Sequence, residues 1–240
     1  MLSNRSAAIA RSFGAQAASY DTHAELPRAV AAKLASLLPE LAAPRVLELG
    51  CGTGLFSRHL VARYPDGHFI LSDLAPAMVE QCRLRLGSSP LIGFEVMDAS
   101  EPRCEGRFDL IALSMTLHWL GRPEASLERL RGLLAPGGVL VYATLGQESF
   151  AEWRAVLEAE ALPSGLVEIP ALSGILAEER LVPEASALGF LRGMKAIGGL
   201  TPRAGYRPLP PGALRRAIRT LDARFGGRVT WHIVYGRLAV

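Results

Sequence analysis

The sequence predicts one α/β domain built on a mainly parallel sheet, and three observations carry that prediction. Short apolar segments alternate with amphipathic ones from residue 45 to residue 144. The first of them, Arg45-Val46-Leu47-Glu48-Leu49, runs straight into a loop with glycine at Gly50, Gly52 and Gly54. The chain is 240 residues long and 50% hydrophobic, enough for one sizeable core.

The first 40 residues read as helices, because Ile9, Phe13 and Ala17 recur every four positions and Val30, Leu34, Leu37 and Leu38 repeat the pattern. From there the spacing predicts strand 45–49, helix 54–63, strand 68–73, helix 75–86, strands 92–97 and 108–114, helix 123–134 and strand 138–144. Short apolar strands separated by amphipathic helices imply a parallel sheet covered on both faces. Leu133 to Gly138, with Pro136 and two glycines, reads as a helix stop and a turn back into the sheet. After Thr144 the rhythm changes: residues 148–220 read as helical (150–161, 183–197 and 211–221) between prolines, and 163–183 lacks a clear strand. The β-branched and aromatic run at 228–238 reads as the closing strand.

The glycine loop is built for a ligand. Glycine lets backbone approach a bound molecule and tolerates positive φ where the chain turns sharply. Its spacing, G-x-G-x-G, is neither the G-x-G-x-x-G of dinucleotide folds nor a phosphate loop with Lys-Ser or Lys-Thr. Asp73 ends the next apolar run about 20 residues on, where a carboxylate accepts from both ribose hydroxyls of an adenosine. Asp73 also suits the N-cap of the following helix. A glycine loop and an acidic strand end without a phosphate cradle point to a nucleoside lacking phosphates.

In these residues the sequence resembles the class I S-adenosylmethionine-dependent methyltransferases. Glu48 to Gly54 matches the first motif, followed by Asp73-Leu74 with Met78, Met97-Asp98-Ala99, Phe108 to Ile111 and Leu134 to Leu140. The resemblance implies a Rossmann-like fold with a seven-stranded sheet, N-terminal helices as a lid over 1–40, a cofactor core over 45–144 and a helical insertion over 148–220 before the closing strand. It implies S-adenosylmethionine as cofactor, held by Tyr20, Glu48, Gly50, Cys51, Gly52, Gly54, Asp73, Leu74, Met78, Asp98, Ala99 and Ser114. Asp73 would hold the ribose, Leu74 and Met78 flank the adenine, and Asp98 with Ala99 face its amino group. Met78 reads equally well as core and Asp98 as a loop acid.

A narrower resemblance spans nearly the whole chain: Ile9 to Gly14, Ala17 to Ala24, Ser114 to Trp119, Thr144 to Trp153, Leu191 to Gly198 and Thr230 to Gly236 are similar to the malonyl-acyl-carrier-protein O-methyltransferases of biotin synthesis. The chain departs from that family's pattern at Pro27, at Ser114-Met115 and at His118-Trp119. The resemblance implies methylation of the free malonyl carboxylate of malonyl-acyl-carrier protein, with Tyr20, His118 and Trp119 around the substrate. Tyr20 and Trp119 read alternatively as packing residues, and His118 as a polar helix-end residue. Because that carboxylate is already ionised at neutral pH, no general base is expected. The rival readings are a small-molecule methyltransferase acting on a polycarboxylic acid or on the carbon of a quinone precursor, with His118 as base in the latter, and a non-catalytic binding module.

Charge and cysteine usage narrow the partners. Residues 180–240 hold eleven basic residues against Glu184 and Asp222, although the whole chain carries only +3. An acidic partner such as an acyl-carrier protein fits that excess, with Arg215, Arg216 and Arg219 as a docking stripe, and a solvated arginine-rich face is the competing reading. No basic run, stacking motif or zinc-finger spacing supports nucleic acid, and no Asn-Pro-Pro-Tyr or Asp-Pro-Pro-Tyr stands at 114–117. Cys51, Cys82 and Cys104 are odd in number and scattered, against disulfides and a metal site. Without a signal-like leader or a run of about 18 apolar residues, the expected compartment is the cytosol.

Overall fold

Strand β1 (Arg45–Leu49) supplies two cores at once. Its Val46 enters a cluster on one face of the sheet while Leu47 and Leu49 enter a second cluster on the other. The same alternation holds in β4 (Phe108–Ser114), where Leu110 and Ala112 face one way and Ile111 and Leu113 the other. It holds again in β5 (Leu134–Leu145), through Val141 and Ala143 against Leu140 and Tyr142. Side chains alternate across a strand, so a strand covered on both faces is apolar throughout, as these are.

The computed structural model describes residues 4–183, 186–199, 201–203 and 205–240. Its other strands are β2 (His68–Asp73), β3 (Ile92–Val96), β6 (Ile175–Leu181) and β7 (Trp231–Ala239), and the seven form one sheet in the order β3-β2-β1-β4-β5-β7-β6. The first five strands pair in parallel, and β7 runs antiparallel to both β5 and β6. The strand order reverses between β1 and β4, which opens a crevice at their carboxyl ends.

Helices α1 (Asn4–Gln16), α2 (Glu25–Ala35), α3 (Ser57–Arg63), α4 (Pro76–Leu86), α5 (Pro123–Arg131), α6 (Ala151–Ala159), α7 (Ala187–Ala196) and α8 (Pro211–Phe225) cover the sheet. One core takes Val30 and Leu34 of α2, Leu60 of α3, Trp153 and Val156 of α6, Phe190 of α7 and Leu221 of α8. The other takes Leu127 and Leu130 of α5. Proline opens α4, α5 and α8, where its missing N–H costs nothing. α1 differs from the rest: none of its side chains is fully buried, and it lies on α4 at the rim of the crevice.

Several sequence expectations are corrected. The stretch 163–183 does contain a strand, β6, so the segment before the closing strand is not purely helical. Its Glu178-Glu179-Arg180 core hid it, because an edge strand paired on one side only tolerates charge. Strand β5 begins at Leu134 and not at 138: Leu134 pairs with Phe108, the register then shifts, and Val139 pairs with Leu110. Pro136, Gly137 and Gly138 therefore sit in a bulge inside the strand, and α5 ends at Arg131. The helix after the glycine loop starts at Ser57 rather than at 54, and β7 starts at Trp231 rather than at 228. The expected helix over 183–197 falls partly on residues 184 and 185, and the N-terminal lid partly on residues 1–3, outside the described residues.

Candidate active site

A cavity of about 490 Å³ opens at the carboxyl ends of β1, β2 and β4. The glycine loop forms its floor. Gly50 and Cys51 both donate their amides to the Ser72 carbonyl, at 2.7 and 2.8 Å, which fixes the loop to the end of β2. Gly50 and Gly52 line the cavity with φ of +78° and +53°. A Cβ on Gly50 would overlap the Thr116 side chain, whereas one on Gly52 would meet no protein atom within 4 Å. The first glycine lets the loop pass Thr116, and the second leaves open space.

Asp73 stands beside the loop. Its Oδ2 accepts the Gly52 amide at 3.0 Å and its Oδ1 the Ala75 amide at 2.8 Å. Burial raises its pKa, and the amides of Ala75, Gly52 and Leu74 oppose that rise. The carboxylate has four lone pairs in all, so it remains able to accept from a ligand hydroxyl. Asp73 is not the N-cap of α4, which is Ala75; it accepts that residue's amide from the end of β2. Tyr20 lies close enough for the Asp73 charge to add to the burial that raises its phenol pKa.

The turn that carries Tyr20 is clamped to the loop by residues the sequence reading missed. Asp21 accepts from Thr53 Oγ1 at 2.6 Å and forms an ion pair with Arg85 of α4, while Arg85 Nε donates to the Thr53 carbonyl at 2.6 Å. Three segments distant in sequence meet there. Their only sequence signal is the Tyr20-Asp21 pair, whose acid has no visible partner in one dimension.

Of the expected ligand residues, Tyr20, Gly50, Gly52, Asp73, Leu74, Met78, Asp98, Ala99, Ser114 and Trp119 line the cavity. Asp98 also closes its own turn, its Oδ1 accepting from Ser100 N at 2.9 Å and Ser100 Oγ at 2.6 Å. Glu48, Cys51, Gly54 and His118 do not line it, for separate reasons. Glu48 follows the strand alternation into the core beside Ser57 and Cys82, fully buried, and burial raises its pKa well above 4.5. Cys51 is buried with its sulfur against its own loop, 3.7 Å from the Gly52 carbonyl. Gly54 packs on α4, where a Cβ would stand 3.1 Å from Cys82 Sγ. His118 Nδ1 lies 3.0 Å from Thr144 Oγ1, and burial together with nearby Arg5 pushes its pKa down to about 3.

The remaining wall comes from α1 and from the segment between β4 and α5. Phe13 meets Trp119 edge to face at 5.3 Å, and Arg5 Nη1 donates to the Trp119 carbonyl at 2.6 Å. Ile9, Met115, Thr116 and Arg122 complete this end. Met115 holds φ of 56°, a left-handed backbone rare for such a side chain and kept at the cavity wall. Among the described residues no cluster could hold a metal ion, and no helix is long and apolar enough to cross a membrane.

Comparison with known proteins places the whole chain. Residues 47–140 match the methyltransferase domain family. A malonyl-[acyl-carrier protein] O-methyltransferase of Magnetococcus marinus is 35% identical over 250 residues, covering 97% of this chain and 92% of that protein. The chain belongs to the malonyl-[acyl-carrier protein] O-methyltransferase family. A family relative, the biotin biosynthesis bifunctional protein BioCD of Bordetella avium, is 39% identical over 95% of this chain, which spans 51% of that longer protein. The fold agrees with a solved structure described as a putative methyltransferase from Bacillus halodurans, at TM-score 0.59 and 12% identity over 87% of this chain and 97% of that one. As a member of this family the chain is an S-adenosylmethionine-dependent methyltransferase. The cavity suits that cofactor: backbone without Cβ at Gly50 and Gly52, a diol acceptor at Asp73, and apolar Leu74, Met78 and Met97 around an aromatic base.

Proposed function

We propose that this protein transfers a methyl group from S-adenosylmethionine to the free carboxylate of malonyl-acyl-carrier protein, giving the methyl ester that primes pimeloyl and biotin synthesis. One observation carries the reading: identity to a malonyl-[acyl-carrier protein] O-methyltransferase runs through 97% of the chain, well beyond the cofactor motifs. The cavity supports it. Around the same cavity, α1 and the segment after β4 supply arginines and an aromatic wall, which suit an anionic acceptor.

Bound S-adenosylmethionine supplies an electrophilic methyl on a positively charged sulfur. The protein's work is then to hold and to dry. Asp73 with Gly50 and Gly52 fixes the nucleoside, and Tyr20, Phe13 and Trp119 shut water out of the acceptor end. A carboxylate stripped of water is the stronger nucleophile. Alignment near the attack distance of about 3–3.5 Å adds several kcal/mol more. No proton has to move, since the acceptor is ionised already. His118, turned to Thr144 and with its pKa pushed down to about 3, is too weak a base for the role that carbon methylation requires.

The carrier protein would dock on the basic C-terminal quarter. Arg215, Arg216 and Arg219 are exposed along α8, with Arg216 drawn toward Glu160 at 3.4 Å. Acyl-carrier proteins are acidic, so the charges complement. The decisive experiment offers labelled S-adenosylmethionine with malonyl-acyl-carrier protein, malonyl-CoA and acetyl-acyl-carrier protein in parallel. Label is expected in the first, less in the second and none in the third. Absence of label from both malonyl thioesters defeats the substrate assignment.

A further inference from the structure

Arg5 is the arginine of the cavity wall with an unanswered donor. Its Nη1 donates one hydrogen to the Trp119 carbonyl at 2.6 Å. Its Nη2 is buried and has no hydrogen-bond partner among the described residues. A buried guanidinium nitrogen left without an acceptor is costly, and natural proteins rarely keep one without a reason. The other two arginines of the cavity, Arg122 and Arg129, are exposed, and Arg129 already donates to the Ser100 carbonyl on the cofactor side.

We infer that Arg5 binds the acceptor's carboxylate through Nη2 alone, on the oxygen that does not react. This rests on the proposed carboxylate acceptor. With one Nη1 hydrogen turned to the Trp119 carbonyl, Nη2 is the terminal nitrogen left to meet the carboxylate, in a single contact rather than the two-pronged fork. A single contact has a chemical use. A fork would stabilise the anion on both oxygens and so favour the ground state over a transition state in which that charge is half gone. A single contact orients the group, leaves one oxygen bare for attack, and costs little nucleophilicity.

Placement on α1 makes the contact adjustable. α1 buries none of its side chains fully and touches the rest through Phe13 on Trp119, Arg5 on the Trp119 carbonyl, Ser12 on the Gly198 carbonyl and its packing on α4. Entry of the acyl group requires the enclosed Nη2 to be uncovered, and α1 is the element that can shift to do so. The acceptor's charge would thus draw Arg5 and α1 back over itself, coupling recognition of a carboxylate to exclusion of water.

The test is binding to protein loaded with S-adenosylhomocysteine, read by anisotropy of labelled carrier protein bearing a malonyl or an acetyl group. The native protein is expected to prefer the malonyl form. Arg5→Met should weaken the malonyl form roughly 10- to 100-fold and leave the acetyl form and S-adenosylhomocysteine within about 2-fold. Arg5→Gln serves the same comparison should the methionine variant aggregate. Methyl transfer by the native protein together with an unchanged malonyl preference in the variant overturns this inference alone. Failure of the native protein to methylate malonyl-acyl-carrier protein overturns it together with the proposed function.

Discussion

The Gly52 amide donates to Asp73 Oδ2 at 3.0 Å, so the acid at the end of β2 holds the glycine loop in shape as well as facing the cavity. If Asp73 holds the nucleoside as proposed, cofactor affinity and loop geometry depend on one carboxylate. Asp73→Asn places an amide N–H or a weaker acceptor against Gly52, and Asp73→Ala leaves that amide bare. Both variants should bind S-adenosylhomocysteine about 10- to 100-fold more weakly by calorimetry, with roughly 1–2 kcal/mol of stability lost as well. Affinity within 2-fold of native for Asp73→Ala would remove Asp73 from the site.

The two cavity glycines separate stability from binding. Alanine at Gly50 drives its Cβ into Thr116 at a φ of +78°, so overlap and strain add, and a loss of several kcal/mol is expected. Alanine at Gly52 meets no protein atom and carries only the left-handed strain of about 1–2 kcal/mol. Its methyl would instead occupy ligand space. Thermal melts should rank Gly50→Ala far below Gly52→Ala, while folded Gly52→Ala should bind S-adenosylhomocysteine at least 10-fold more weakly. Equal melting temperatures for the two variants would contradict the crowding at Thr116.

Asp21 joins the Tyr20 turn, the loop residue Thr53 and Arg85 of α4. Asp21→Ala removes both contacts and leaves Arg85 partly buried without its partner. Given the partial exposure of the pair, a stability loss of about 1 kcal/mol is expected. The larger effect should be on Tyr20, whose loosened turn opens the site and weakens S-adenosylhomocysteine several-fold. Tryptic cleavage after Arg11 or Arg28, compared with and without ligand, reports the same loosening. Native-like affinity and cleavage in Asp21→Ala would show that the turn is held by packing alone.

How much of this was legible in the sequence follows from what each residue answers to. The loop and Asp73 answer to a ligand that needs close backbone and a carboxylate at a strand end, so residue type and spacing reveal them. Strand β6 answers to a single neighbour, β7, and its Glu178-Glu179-Arg180 core carries no two-residue apolar rhythm to read. Glu48 matched a motif, yet its side chain follows the parity of β1 into the core, which only the fold decides. Arg5 looked like any polar residue of an amphipathic helix. Its meaning lies in a guanidinium tied to the Trp119 carbonyl, more than a hundred residues along the chain, whose Nη2 has no partner among the described residues.

Glu48 gives a pH test of that burial. Its folded pKa stands well above 4.5, so the proton is held more tightly in the native state than in the unfolded one. Stability from this group is complete below about pH 4.5 and is lost as pH rises through the folded pKa. Glu48→Gln has no proton to lose. The difference in unfolding free energy between variant and native should therefore move in the variant's favour from pH 5 to pH 8, as urea midpoints at the two values would show. A difference that stays constant, or moves the other way, means that Glu48 is ionised and paired.

His118 gives the opposite slope and also bears on chemistry. Burial and Arg5 hold its pKa down to about 3, while an unfolded imidazole titrates near 6.5. Below about pH 6.5 the unfolded chain takes up a proton that the folded chain refuses, so native stability falls as pH drops from that value toward 3. His118→Asn cannot titrate, and its stability should decline less steeply between pH 7.5 and 5.5. The same imidazole, neutral throughout the working range, should put no inflection near pH 6.5 on kcat/KM for malonyl-acyl-carrier protein. His118→Asn should keep the flat profile, with a loss of no more than about 10-fold from the disturbed Trp119 wall. A sigmoidal limb in the native profile that vanishes in the variant would instead make His118 a base. The acceptor atom would then have to carry a proton, which a malonyl carboxylate at that pH does not.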